Sequence, residues 1–131
     1  MCKSSIIKAE GNDADLLTNI CFVSKKHWGY SDELMEMWRQ DLTISETMVV
    51  NNFSFKMMLK SKTVGFIIVS LQDNIAEILH CCIAPAYIGL GFGSKLLSYF
   101  FTLNEFKGKS FEVTADPNAI PFYQKFWICR D

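Results

Sequence analysis

The chain has 131 residues, a formal charge of -1 and a composition that is 50% apolar and 14% aromatic, which suits one compact globular domain. Lysines and arginines are scattered and nearly balanced by acids, so neither a nucleic-acid face nor a polyanionic partner is expected. No apolar run approaches the roughly 20 residues of a membrane span, and Met1 to Ser5 lead into an apolar pair too short for a signal peptide. The five cysteines, Cys2, Cys21, Cys81, Cys82 and Cys129, form no Cys-x-x-Cys pair, and His27 and His80 recur at no ligand spacing. Reduced thiols in a cytoplasmic protein without a metal are therefore expected.

In chain order, Ile6 to Ala9 read as a short strand ended by Gly11. Asn12 or Asp13 can cap a helix whose apolar positions Leu16, Leu17, Ile20, Cys21 and Val23 recur at helical spacing, with acids first, bases last and Gly29 as its stop. Ser31 caps a second helix with Leu34, Met35, Trp38 and Leu42 as its buried stripe. His27, Trp28, Tyr30 and Trp38 crowd the joint, where aromatic packing of two helices is the plain reading. Ser45-Glu46 starts one more helical turn.

Three strands follow, Phe53 to Leu59, Val64 to Leu71 and Ile75 to Ile83, with turns short enough for an antiparallel meander. The middle run, apolar on both faces, should be central. Next comes Ile83-Ala84-Pro85-Ala86-Tyr87-Ile88-Gly89-Leu90-Gly91-Phe92-Gly93-Ser94, a strand end, a glycine-rich turn and a helix start. Such a turn lets backbone amides approach an anion at the positive end of a helix. The order Ser94-Lys95 after the last glycine excludes a P-loop, and no acidic residue stands where a dinucleotide fold needs one. A pyrophosphate of another kind remains. Phe92, Leu96, Leu97, Phe100 and Phe101 then describe an amphipathic helix of three to four turns, ended by Gly108. Phe111, Val113 and Ala115 form a fifth strand, parallel to the fourth because a helix separates them, and Pro117-Asn118 start the last helix.

The turn resembles motif A of the GCN5-related N-acetyltransferases (GNAT), whose Gln/Arg-x-x-Gly-x-Gly/Ala sequence holds the coenzyme A pyrophosphate; here it reads Ile88-Gly89-Leu90-Gly91-Phe92-Gly93. Ile88 departs from the pattern and removes one side-chain contact. Asn118-Ala119-Ile120-Pro121-Phe122-Tyr123-Gln124-Lys125 is similar to the family's motif B, in the expected order and spacing. The resemblance implies an α/β fold with a mixed, mostly antiparallel sheet, helices on both faces, and strands four and five parallel and splayed. It also implies a small bacterial-type member whose shortened C-terminus lacks the final strand or strands, leaving an edge that a second copy could cover as a homodimer.

The activity so implied is acetyl transfer from acetyl-CoA, without a metal, to a primary amine of a small molecule or peptide. A catalytically weak or inactive acyl-CoA-binding domain is the alternative. The resemblance gives Ile88, Gly89, Leu90, Gly91, Phe92, Gly93, Ser94 and Asn118 to the coenzyme, with Cys82 and Ile83 supplying backbone groups at the acetyl end. Tyr123 matches the tyrosine that protonates the coenzyme thiolate, and a phenol pKa near 10 suits that task. For the base, Glu77 stands where histone-acetylating members carry a glutamate, and His80 is its rival. A regular strand puts these two on opposite faces; a bulge between them would relax that. Cys82 with His80 could also serve a covalent route, although the family usually transfers directly. His27, Trp28 and Tyr30 are candidates for the acceptor pocket, because in the family this segment overlies the acetyl end of the coenzyme.

Overall fold

A computed structural model describes residues 4–114, 119–124 and 129–130. Its elements are β1 (Ser4–Lys8), α1 (Ala14–Lys26), α2 (Asp32–Met37), α3 (Arg39–Leu42), α4 (Glu46–Asn51), β2 (Phe53–Leu59), β3 (Lys62–Gln72), β4 (Ile75–Ile83), α5 (Phe92–Phe101), β5 (Ser110–Val113), α6 (Ile120–Gln124) and β6 (Cys129–Arg130). The six strands form one sheet in sequence order. β1 to β4 pair antiparallel, while β5 pairs parallel with β4. The two-residue β6 lies parallel beside β5, at the edge that the sequence suggested would be bare.

β3 explains the layering. Val64 to Val69 are all buried, and alternate side chains serve opposite faces. Phe66 and Ile68 pack with Leu17, Ile20 and Cys21 of α1 and Val49 of α4. Ile67 and Val69 pack with Leu96, Leu97 and Phe100 of α5. Helices therefore cover both faces, and the Phe100 ring sits edge-on to Phe55 and Phe106 at 5.5 and 4.9 Å.

Local signals act where they were read. The Ser31 and Ser45 hydroxyls accept hydrogen bonds from the amides of Leu34 and Met48 at 3.2 and 3.0 Å. The second helix is interrupted at Trp38, and of its expected buried stripe only Met35 is fully inside, with Leu34 36% exposed. Two helices this short form a flap over α1 that leaves their outer side wet. α5 runs ten residues and gives way at Thr102 to a 3-10 turn over Asn104–Phe106, so Gly108 ends that turn and not the helix. Asp13, ahead of α1, receives the Lys56 ammonium of β2 on both carboxylate oxygens at 3.0 Å, a largely enclosed pair that fixes α1 to the sheet.

One irregularity positions chemistry. Ile68 pairs with His80 but Val69 pairs with Ile78, so Leu79 is an extra residue in β4. Pairing partners share a face, and Ile68 and Ser70 lie two residues apart. Their partners His80 and Glu77 therefore share a face too, as the expected bulge allows. The pairing of β4 with β5 ends at Ile78–Val113, and from Leu79 onward the two strands splay.

Candidate active site

The splay opens a cleft between the end of β4, the start of α5 and α6. Gly89 and Gly91 have φ of +88° and +84°, a left-handed backbone that other residues adopt only with strain, and a Cβ on either would meet nothing within 4 Å. Gly91 is the N-cap of α5, and no side chain caps that helix. The amides of its first turn are left for a ligand, at the positive end of a ten-residue helix. Gly93 lies in the same turn, where a Cβ would stand 3.4 Å from the Phe122 ring and 3.8 Å from Ile83.

Ile83, Ile88, Gly89, Gly91, Phe92, Gly93 and Ser94 line this outer cavity of about 470 Å³, with Tyr87 and Phe122. Leu90 does not; its side chain is 61% exposed, so only its backbone is available to the turn. Uncapped amides, open space over two left-handed glycines and a long mostly apolar trough fit a pyrophosphate and its pantetheine arm. Ile88 lines the trough with an apolar side chain where the motif expects a polar one.

A second, inner cavity of about 160 Å³ continues from the first. Ser24, Trp28, Cys81, Ala119 and Tyr123 line both, so the two meet there. His80, Cys82, Cys21 and Lys25 line the inner one. Alternation along β4 beyond the bulge sends Cys81 to the α5 side, against Tyr123, and Cys82 to the α1 side, against Cys21.

Tyr123 is 6% exposed, and its hydroxyl hydrogen-bonds the Cys81 thiol. Burial pushes its phenol up, and burial likewise pushes the Cys81 thiol up to about 12. The His80 imidazole is half-buried, with Nδ1 3.7 Å from Cys21 Sγ and the Phe66 ring behind it at 6.4 Å. Cys21 is held low, to about 5, by a hydrogen bond with the Cys82 thiol, aided by His80 and the Lys25 charge. The same contact drives Cys82 well up.

Glu77 is exposed and lines neither cavity, although it shares a face with His80. Among the acceptor candidates only Trp28 reaches the site, at the junction of the cavities. His27 is exposed and meets Trp28 edge-on at 5.4 Å. Tyr30 packs against Trp38 at 4.9 Å, with the Lys25 ammonium over both rings. Asn118 lies outside the described residues. Sequence reasoning missed Ser24, Lys25, Cys81 and the site role of Cys21. Cys21 and Ser24 are three apart on α1, so helical spacing carried the signal, but only the docking of α1 on β4 reveals which face it is. No cluster of His, Cys, Asp and Glu suited to a metal occurs among the described residues, and no helix among them is long and apolar enough to cross a membrane.

Comparison with known proteins gives a consistent picture. No curated protein matches the chain. Among solved structures, PaiA N-acetyltransferase from Thermoplasma acidophilum, in complex with coenzyme A, is 21% identical over 95% of this chain and 87% of its own, with a TM-score of 0.79. A GNAT family acetyltransferase from Brucella melitensis, in complex with acetyl-CoA, is 17% identical over 95% and 81%, with a TM-score of 0.66. The ribosomal-protein-S18-alanine N-acetyltransferase from Escherichia coli is 16% identical over 95% and 75%, at 0.68. At these identities the likeness is one of fold. The model of the acetyltransferase (GNAT) domain matches residues 52–126, more than half of the chain and the whole stretch from β2 through the glycine turn to Tyr123. With that match the chain belongs to the GCN5-related N-acetyltransferase family.

Proposed function

We propose that this protein moves an acetyl group from acetyl-CoA directly to a primary amine of a small molecule or peptide. One observation carries the reading: the glycine-turn cleft runs into a smaller cavity, and a buried tyrosine hydroxyl stands where the two meet. The coenzyme supplies an activated thioester when bound. Amides of Gly89 to Ser94 and the α5 dipole hold its pyrophosphate. Asn118 keeps an orienting role on its sequence position alone. Beyond Ile78 the side of β4 away from β3 has no strand partner, and the backbone there, near Cys82 and Ile83, offers a donor to the acetyl oxygen. His80, lining the inner cavity, takes the proton of the incoming amine, a role its position supports better than that of Glu77. Tyr123 gives a proton to the departing sulfur, as it already gives one in its hydrogen bond to Cys81.

Neither cavity has a carboxylate in its lining among the described residues, while Lys25 lines the inner one, which favours neutral or anionic amines over polycations. The alternative, a catalytically weak acyl-CoA-binding domain, has Ile88 in its favour, since it adds no polar contact to the phosphates. Thermal unfolding with and without acetyl-CoA, followed by thiol release against an amine panel, separates them. The enzyme predicts stabilisation and a turnover that falls roughly 10²-fold or more in Tyr123→Phe with stabilisation retained. Stabilisation with no turnover on any amine selects the binding domain.

A further inference from the structure

Direct transfer uses His80 and Tyr123 and leaves the thiol of Cys21 without a task. A buried cysteine is ordinarily a small apolar filler, surrounded by apolar side chains. Cys21 has a different environment. Its sulfur lies 3.7 Å from the His80 imidazole, touches the Cys82 thiol and borders a cavity that also holds Lys25. That cavity opens at Tyr123 into the coenzyme cleft, so the wall that would receive an amine carries a thiol–imidazole pair of the kind that activates nucleophiles. Cys81, the other thiol at the junction, is engaged by Tyr123 and pushed up to about 12, so it does not compete. Cys82 is pushed up by the contact that lowers Cys21, while the imidazole stands against Cys21, so Cys82 is the poorer nucleophile of the two.

We propose that Cys21 is a self-acetylation site: when no amine fills the inner cavity, its thiol accepts the acetyl group from acetyl-CoA. The inference rests on the acetyltransferase reading above. In the step Cys21, already a thiolate beside His80, attacks: a bond forms between Sγ and the carbonyl carbon, and the bond from that carbon to the coenzyme sulfur breaks. The coenzyme thiolate takes a proton from Tyr123, which recovers one from solvent. One thioester is exchanged for another, the coenzyme leaves as its thiol with a proton drawn from solvent, and no oxidant or reductant is needed. The acetyl group then occupies part of a space of about 160 Å³, so acetyl-Cys21 excludes acceptor amines until it is removed.

The test has two readouts on the full chain. In the first, protein incubated with acetyl-CoA and no amine is denatured in acid, digested and mapped by mass spectrometry. Expected is one acetyl group on the peptide carrying Cys21, released by neutral hydroxylamine as a thioester is, and absent in Cys21→Ala. In the second, without acetyl-CoA, Cys21 alkylation by iodoacetamide is followed against pH. The groups acting on its sulfur are Lys25 from α1 and His80 and Cys82 from β4, and Tyr123 from α6 lines the same cavity. The half-maximal rate is expected near pH 5, rising toward the ordinary thiol value in His80→Asn. Acetyl-CoA that raises the melting temperature yet leaves Cys21 unmodified overturns self-acetylation and spares the enzyme reading, as does a hydroxylamine-stable acetyl group on Lys25. Acetyl-CoA that neither stabilises nor labels overturns both.

Discussion

Replacing Gly93 and Gly91 by alanine, one at a time, separates what the glycine turn does for the fold from what it does for the coenzyme. At Gly93, inside the first turn of α5, φ is ordinary and the new methyl group would sit 3.4 Å from two Phe122 ring atoms and 3.8 Å from Ile83. These are contacts rather than collisions. Alanine in a helix is worth roughly 0.5–1 kcal/mol over glycine, so the free Gly93→Ala protein should be as stable as the parent or slightly more so. The methyl group nevertheless fills the floor of the cleft between Ile83 and Phe122, where the backbone must approach the phosphates. An intrusion of that size costs about 1–3 kcal/mol in a fitted site, or roughly 5- to 150-fold in affinity for acetyl-CoA. At Gly91 the space is open, but φ is +84°, and a side chain there costs about 1–2 kcal/mol of backbone strain. Gly91→Ala should therefore lower stability, by about 4 °C per kcal/mol for a chain of this size. Urea denaturation of the free proteins and the melting-temperature increase at a fixed, subsaturating acetyl-CoA concentration read the two effects independently. A Gly93→Ala protein that binds acetyl-CoA like the parent would refute the assignment of this turn to the coenzyme.

For the base, His80→Asn should lower kcat at neutral pH by roughly 10²-fold while Glu77→Gln changes it by less than about threefold; the reverse ranking returns the role to Glu77. Asp13→Asn leaves Lys56 enclosed with a neutral partner and should cost about 2–4 kcal/mol in urea denaturation, whereas a loss below about 0.5 kcal/mol would mean that the pair behaves as a surface bridge. Stability should depend on pH through the two thiols. Cys21 is held at about 5 in the fold against an ordinary 9.0, so the unfolded chain binds a proton that the fold has released, and stability rises with pH across that window. Above about pH 9 the sign reverses, because Cys82, pushed up, keeps a proton that the unfolded chain gives away. A wild-type profile that matches Cys21→Ala from about pH 5 to 10 would exclude this coupling.

Much of the fold was legible because its signals are local. Strand periods from Phe53 to Ile83, serine caps at Ser31 and Ser45, and glycines at 89 and 91 each act through the backbone or through neighbours a few residues away. The parallel relation of β4 and β5 also followed from local information, since a helix between two strands admits no hairpin. The glycine turn and the short helix of Tyr123 were readable for the same reason: both carry their geometry in contiguous residues.

The inner cavity was not readable, because five separate segments build it. Periodicity put Cys21 on the buried stripe of α1, but only the packing of α1 on β4 brings its sulfur to His80, 59 residues away. A strict alternation would have separated Glu77 from His80; one extra residue at Leu79 joins them on one face, and the end of pairing at Ile78 then exposes His80 to a cavity while Glu77 stays at the surface. The sequence by itself determined which elements form, their order in the sheet and the chemistry of the turn, because these depend on short-range sterics and hydrophobic period. Tertiary structure alone decided which thiol meets which partner and which basic group faces the inner cavity, because a bulge and a helix docking angle are settled by packing of the whole core.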